Sequence, residues 1–270
     1  VSHSRCLGFV SIILGVFMFS QAIVRTPCKA MLEGLTEAEM GLPNYDLACE
    51  QHQEYITALK ECGLHVTVLP PLESYPDSCF VEDVALLTSK CAIITRPGAP
   101  SRSGEVQHII KAVEQFYPNL EYIDLPGTIE AGDIMMVGSH FYIGLSARTN
   151  AQGAEQLITL LGNYNLTGST VEMSELLHLK TGVNYLENNN LLTFGEMHSH
   201  PTFNQFKRFE IAKQENYAAN SVWINGTVLV PKGFPNTLKT IQQLGYPTLE
   251  VSVSEFQKLD GGLSCLSLRF

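Results

Sequence analysis

The sequence predicts an α/β fold in which one hairpin–helix–strand unit recurs about five times around a ring. Three observations carry this expectation. Four pairs of short apolar segments are joined by tight-turn residues, segments with helical apolar spacing follow several of them, and each of these yields to a further short strand. The units follow one another at roughly 35–50 residues, a spacing typical of repeat architectures. An ordinary α+β sandwich is the alternative that periodicity alone leaves open.

From the N-terminus, Gln21-Ala22-Ile23-Val24-Arg25-Thr26-Pro27 reads as a strand, Tyr45 to Cys62 as a helix and His65 to Leu69 as a second strand. The first hairpin is Asp83 to Leu87, a turn at Ser89-Lys90, then Cys91 to Ile94. Val106, Ile109, Ile110, Val113 and Phe116 next share one helical face, before a strand from Leu120 to Leu125. The second hairpin runs from Asp133 to Val137, turns at Gly138-Ser139 and returns through Phe141 to Gly144. Ala154, Leu157, Ile158 and Leu161 supply its helix, and Ser169 to Met173 its strand. The third pairs Asn184 to Leu186 with Leu191 to Phe194 around Glu187 to Asn190, but Pro201 to Phe209 shows no clear helix. The fourth joins Ser221 to Ile224 and Thr227 to Val230 through Asn225-Gly226, the strongest two-residue hairpin signal. Leu238, Ile241 and Leu244 and a strand from Thr248 to Val253 follow it. A fifth hairpin requires the strand after Cys265 to pair with the strand near Ile23, so that both termini close the ring.

Composition narrows the function. An apolar fraction of 45% and a charged fraction of 16% over 270 residues describe a folded globular chain. A formal net charge of -10 argues against nucleic acid, whose phosphates need a basic surface. The seven cysteines, Cys6, Cys28, Cys49, Cys62, Cys79, Cys91 and Cys265, contain no CxxC pair, so neither a zinc knuckle nor a disulfide framework is indicated. That pattern suits a reducing cytoplasm.

The N-terminal run from Cys6 to Phe19 is apolar behind Arg5, short for a membrane span and similar to the core of a signal peptide. Cleavage at Ser20-Gln21-Ala22 would cut into the first strand. The favoured expectation is that translation starts at Met18, that residues 1–17 are an upstream extension and that 18–270 form one catalytic domain, cytoplasmic and without membrane association. Export through a signal peptide is the alternative.

The chemistry concentrates at the C-terminus. In Asp260-Gly261-Gly262-Leu263-Ser264-Cys265, a thiol follows two glycines that allow close approach to the backbone, just inside a short apolar run. Cys265 is therefore a candidate nucleophile, or equally a packing cysteine. Asp77, Glu82 and Asp83 precede the first hairpin, Glu130 and Asp133 the second, His178 the third, and Asp260 and Cys265 the fifth. In a ring these entrances converge on the axis, gathering carboxylates, a histidine and a thiol. Each has a plainer reading: His178 as a core filler, Asp77 as a turn residue, Glu82 and Asp83 as a solvated strand entrance. His198-Ser199-His200 alternates faces if extended and has no carboxylate cluster beside it, so no metal site is expected. Asn165-Leu166-Thr167 and Asn225-Gly226-Thr227 match the glycosylation pattern, but the second is better read as a turn.

Four ordered motifs, Pro76 to Asp83, Gly127 to Asp133, Leu177 to Gly182 and Asp260 to Cys265, closely resemble the dimethylarginine dimethylaminohydrolases, guanidine-modifying members of the pentein superfamily. Ala22 to Pro27 and Ser146 to Asn150 extend the resemblance, which runs from about Met18 to Phe270. It implies a five-bladed α/β propeller and hydrolysis of Nω-methylated arginines to citrulline plus methylamine or dimethylamine through a covalent cysteine intermediate. Cys265 would be the nucleophile, His178 the proton carrier and Glu130 its orienting carboxylate. Asp77, Glu82 and Asp83 would bind the guanidinium, whose planar fork of donors suits carboxylates. Arg102 and Arg148, by composition ordinary surface charges, would take the α-carboxylate, Leu35 would sit in a lid and Leu259 would offer backbone contacts. Neither metal nor cofactor is implied; a homodimer is expected by analogy. An arginine deiminase type of hydrolase, usually longer by a helical insertion, and a non-catalytic binder of arginine-like ligands are the competing functions.

Overall fold

In the computed structural model, which describes residues 19–270, the strands form five three-stranded sheets of one design. Each is an antiparallel hairpin whose one strand carries a third strand in parallel. The design follows from connectivity: a tight turn suffices for the antiparallel pair, whereas the parallel strand needs a crossover segment. Ala85–Leu87, Ala92–Ile94 and Leu120–Tyr122 form one blade, and Ile134–Val137, His140–Leu145 and Thr167–Glu172 the next. Val183–Tyr185, Asn190–Thr193 and Lys207–Glu210 form another, followed by Val222–Ile224, Thr227–Pro231 and Thr248–Val251.

The remaining blade is assembled from both ends of the described chain. Leu268–Arg269 runs antiparallel to Gln21–Arg25, with Ala22 opposite Arg269 and Ile23 opposite Leu268, and His65–Leu69 adds in parallel. Ser20 and Gln21 N–H groups both donate to the Phe270 carbonyl at 2.8 Å. The predicted closure of the ring holds, and it draws the segment carrying Cys265 inward. The apolar cores lie between neighbouring blades, as where Ile93 and Ile129 pack with Phe141 and Leu157.

The helices Tyr45–Glu61, Ala151–Gly162 and Pro235–Gln243 lie where the apolar spacing puts them. The segment from Val106 to Phe116 differs. It is a 3₁₀ turn, Glu105–His108, followed by a single α-turn, Ile110–Val113. The His108 carbonyl accepts from Arg25 Nη2 at 2.9 Å and so has an alternative to the helical ladder. The third crossover has only the short turns Glu196–Ser199 and Pro201–Phe203, in keeping with its weak sequence pattern.

Two predicted strands also begin later than expected. Asp83 lies in the 3₁₀ turn Val81–Val84 and Asp133 ends the 3₁₀ turn Ala131–Asp133, and the strands start at Ala85 and Ile134. Both carboxylates are buried and bind backbone N–H groups, the bond that each offers in place of strand pairing. At Asn225-Gly226 both residues have positive φ, 50° and 94°, as a primed hairpin turn requires. The Asn225 side chain is bonded to the backbone of Phe19 and Cys62, which confirms the turn reading of that tripeptide. The expected start at Met18 and extension over 1–17 lie outside the described residues. Among the described residues, no helix is long and apolar enough to cross a membrane.

Candidate active site

A cavity of about 200 Å³ opens at one end of the ring axis. Of the predicted site residues, Cys265, His178, Glu130, Leu35, Asp77, Asp83, Arg102, Arg148 and Leu259 all line it. Glu82 does not. A place at a repeat entrance therefore does not by itself bring an acid to this cavity, since Asp133 does not line it either.

Cys265 sits in the 3₁₀ turn Ser264–Leu266. Gly262 N–H approaches its sulfur at 3.3 Å. A Cβ on Gly261 would lie 2.1 Å from the Phe80 ring, so the turn closes only with glycine there. Burial, reinforced by the charges of Glu82 and Asp83, pushes the thiol pKa up to about 12 against the Gly262 N–H and Lys180. The resting sulfur is a neutral thiol.

His178 caps the one-turn helix Leu179–Gly182 without using its ring, which leaves the imidazole for the cavity. Its Nε2 is 2.9 Å from Glu130 Oε2. Burial lowers the imidazole pKa, but the Glu130 hydrogen bond and the charges of Asp83, Asp133 and Glu130 outweigh it and raise it to about 9. The ring is thus an imidazolium at neutral pH. Glu130 is fixed in turn, its Oε1 accepting from Ala99 N at 3.0 Å and lying 3.5 Å from Arg148 Nη1.

Asp83 accepts from Gly132 N at 2.9 Å through Oδ1 and pairs with Arg102 Nη1 through Oδ2. Burial raises its pKa, yet the charges of Arg102 and His178 and the Gly132 N–H bring it below the ordinary carboxylate value. Arg102 is no surface charge. It is 4% exposed and grips Glu105 in a fork, Nε–Oε1 3.0 Å and Nη2–Oε2 2.8 Å, while Nη2 also donates to the Phe80 carbonyl at 2.9 Å. Arg148 keeps 23% of its side chain exposed at the mouth. Asp77 Oδ1 accepts from Leu35 N at 3.0 Å, and burial raises its pKa against Arg102 and that N–H. The loop around Leu35 is further held where Asp260 Oδ2 accepts from Glu37 N and Thr36 Oγ1, at 2.6 and 3.1 Å.

Glu82 lies apart from the other expected site residues. It turns to the other side of the axis, accepts from Ser264 Oγ at 2.8 Å and pairs with Lys180 and Arg269, lining a separate cavity of about 130 Å³. Successive residues of a 3₁₀ turn point about 120° apart, which directs Glu82 and Asp83 to different cavities here. Its effect on Cys265 is through charge.

Ligand-type atoms of Asp83, Glu130 and His178 lie within 4.8 Å of one another. All three are already engaged with Arg102, backbone N–H groups or each other, which makes the cluster an acid–base array. His198 and His200 are apart from it, bonded to Thr193 Oγ1 and Thr202 N.

A family model described as N,N dimethylarginine dimethylhydrolase, eukaryotic, matches residues 39–192. Over 254 residues the chain is 55% identical to the N(G),N(G)-dimethylarginine dimethylaminohydrolase of Pseudomonas aeruginosa, covering 94% of this chain and 100% of that one. This chain belongs to the dimethylarginine dimethylaminohydrolase family. A Pseudomonas aeruginosa dimethylarginine dimethylaminohydrolase structure, a cysteine-to-serine mutant complexed with citrulline, superposes with a TM-score of 0.93 at 55% identity, over 94% of this chain and 100% of that one. A dimethylarginine dimethylaminohydrolase in histidine-to-glycine form, as an adduct with S-methyl-L-thiocitrulline, gives 0.92 at 54%, with the same coverage.

Sequence reasoning left one positioning residue of this dimethylarginine dimethylaminohydrolase family member out of its site. Asp133, fully buried, accepts from Leu179 N at 2.9 Å and from Ser146 Oγ at 2.7 Å, and so holds the backbone next to His178. Its place at the second entrance, matching Asp83 at the first, was the available signal.

Proposed function

We propose that this chain hydrolyses Nω-methylated arginines to citrulline and methylamine or dimethylamine through an intermediate on Cys265. The supporting observation is that a neutral thiol, an imidazolium held by Glu130, two carboxylates and a partly exposed guanidinium share one small cavity. Carboxylates at Asp77 and Asp83 suit a cationic guanidinium, and Arg148 at the mouth suits an α-carboxylate. Arg102 would join Arg148 only by exchanging one of its present partners.

Binding of the cation between Asp77, Asp83 and the thiol favours the thiolate, because a positive charge stabilises the deprotonated form, and the thiol proton is released to solvent, since His178 is already protonated. The thiolate attacks the guanidinium carbon, forming a C–S bond. His178 gives its proton to the alkylated nitrogen, the C–N bond breaks, and the neutral amine departs. The imidazole, now neutral, accepts a proton from water as its oxygen attacks the same carbon. Collapse breaks the C–S bond, the hydroxyl proton of the adduct passes to the departing sulfur, and the ureido group of citrulline is released with the resting thiol restored. Leu35 would close over the substrate, and Leu259 would contribute through its backbone.

The test is mass spectrometry of protein quenched during turnover of asymmetric dimethylarginine, with an adduct expected on Cys265. Cys265→Ser is expected to bind citrulline without turnover. Turnover without an adduct in rapid-quench samples, or an active serine variant, would overturn the mechanism. Faster citrulline release from arginine than from asymmetric dimethylarginine would overturn the substrate assignment.

A further inference from the structure

Asn220 stands outside the acid–base array, yet it bonds residues next to both Cys265 and His178. It ends the 3₁₀ segment Lys213–Asn220 and is 7% exposed. Its Oδ1 accepts from Ser264 N at 2.9 Å, and its Nδ2 donates to Ser264 Oγ and to the Lys180 carbonyl, each at 3.0 Å. Ser264 immediately precedes Cys265. Lys180 lies in the one-turn helix that His178 caps. One planar carboxamide therefore ties the turn carrying the thiol to the turn carrying the imidazole.

Glu82 also joins these two residues, accepting from Ser264 Oγ at 2.8 Å and pairing with Lys180 Nζ, but it holds side chains only, whereas Asn220 grips the Ser264 N–H and the Lys180 carbonyl. Asn184 Nδ2 also donates to the Lys180 carbonyl, at 2.7 Å, but its second bond goes to the Ala219 carbonyl. Close packing holds the carboxamide in place: a Cβ on Gly262 would lie 2.6 Å from both Cγ and Oδ1 of Asn220. The second glycine of the Gly-Gly pair thus makes room for Asn220. Between the carboxamide and the two reacting groups lies a small cavity of about 40 Å³, lined by His178, Cys265 and Asn220 among others. A cavity of that size accommodates water, which needs roughly 10–15 Å³ of such space.

We infer that Asn220 is a positioning residue that sets Cys265 against His178, an inference that rests on the hydrolase reading above. Both chemical steps need the sulfur and the imidazole correctly placed about one carbon atom. A misplacement of about 1 Å costs on the order of 10²-fold in rate. An asparagine is required because the bridge uses one acceptor and two donors. Aspartate keeps the bond from Ser264 N, can hold Ser264 Oγ only by drawing its proton away from Glu82, and sets a carboxylate against the Lys180 carbonyl.

The experiment compares Asn220→Ala, Asn220→Asp and Asn184→Ala with the unaltered chain, measuring kcat, KM, citrulline affinity and thermal midpoint. Turnover of asymmetric dimethylarginine by the unaltered chain is checked first; its absence would defeat the hydrolase reading and not this one. Both Asn220 variants are expected to lose kcat on the order of 10²-fold with KM and citrulline affinity within about threefold. Rapid-quench adduct formation on Cys265 is expected to slow in parallel. Asn184→Ala, which also gives up a bond to the Lys180 carbonyl, is expected to lose less than about tenfold. Equal losses in the Asn184 and Asn220 variants, kcat retained, or loss of citrulline binding together with kcat would each overturn the inference.

Discussion

His178 Nε2 and Glu130 Oε2 are 2.9 Å apart on the wall of the cavity, and the other Glu130 oxygen is held by Ala99 N at 3.0 Å. The carboxylate therefore cannot turn away without cost to the imidazolium. In the proposed mechanism this pair sets the range of pH over which a proton is available to the leaving amine.

Activity is expected to fall as pH rises through about 9, where the imidazolium is lost. The folded value lies above the unfolded value of about 6.5, so the pair's stabilising contribution is complete below that pH and disappears through about 9. Glu130→Gln should move the basic limb of the kcat profile toward neutrality and lower kcat at pH 8 on the order of 10²-fold. Paired pH–rate profiles check this, and an unmoved basic limb would reject it.

The thiol predicts the opposite dependence for chemical labelling. With its pKa pushed up to about 12, alkylation of Cys265 by iodoacetamide in the ligand-free protein should rise steadily from pH 6 to pH 9 without a plateau. Peptide mapping of alkylation rates measures this directly. Equal rates at pH 6 and pH 8 would mean a preformed thiolate.

Gly132 separates the two fixed walls of the site. A Cβ there would lie 2.8 Å from His178 Nδ1 and 3.0 Å from Asp83 Oδ1. Neither wall can yield easily, since Glu130 holds the imidazole and Arg102 holds Asp83. Gly132→Ala should cost about 1–3 kcal/mol of stability by overpacking, and kcat on the order of 10²-fold by displacing His178. Denaturant unfolding and steady-state kinetics on one preparation check both; an active, equally stable variant would show that the ring moves freely.

Much of this organisation was legible in the sequence because local signals and the global ring agree. Asn225-Gly226 defines its hairpin by left-handed backbone preference, and the apolar spacing of Ala154, Leu157 and Leu161 defines a helix. The convergence of Asp77, Asp83, Glu130, His178 and Cys265 followed from placing repeat entrances around one axis. What was not legible depends on long-range partners. The helix over Val106 to Phe116 gives way where Arg25, far along the chain, takes the His108 carbonyl. Glu82 and Asp83 look alike as neighbours, and only the 3₁₀ turn sends them to opposite sides. Asn220 carries no motif; its role exists only once the turns of His178 and Cys265 are adjacent.

Asn225 should matter for stability and not for chemistry. Its Oδ1 accepts from Phe19 N at 2.8 Å, and its Nδ2 donates to the carbonyls of Phe19 at 2.8 Å and Cys62 at 3.0 Å. Its backbone φ of 50° is one that asparagine tolerates better than alanine. Asn225→Ala removes three bonds at once and strains the turn, a loss of about 2–3 kcal/mol when each part-buried bond counts for about 1 kcal/mol. In a domain of this size each kcal/mol lowers the melting midpoint by about 2–4 °C, so a fall of about 5–10 °C is expected. The turn lies away from the residues lining the cavity, and kcat below the new midpoint should be unchanged. Asn225→Asp keeps the bond from Phe19 N and loses both donors, and should fall between. Scanning calorimetry and assays of the three proteins would show this order; an alanine variant as stable as the parent would mean that the first strand is held by the pairing of Gln21–Arg25 alone.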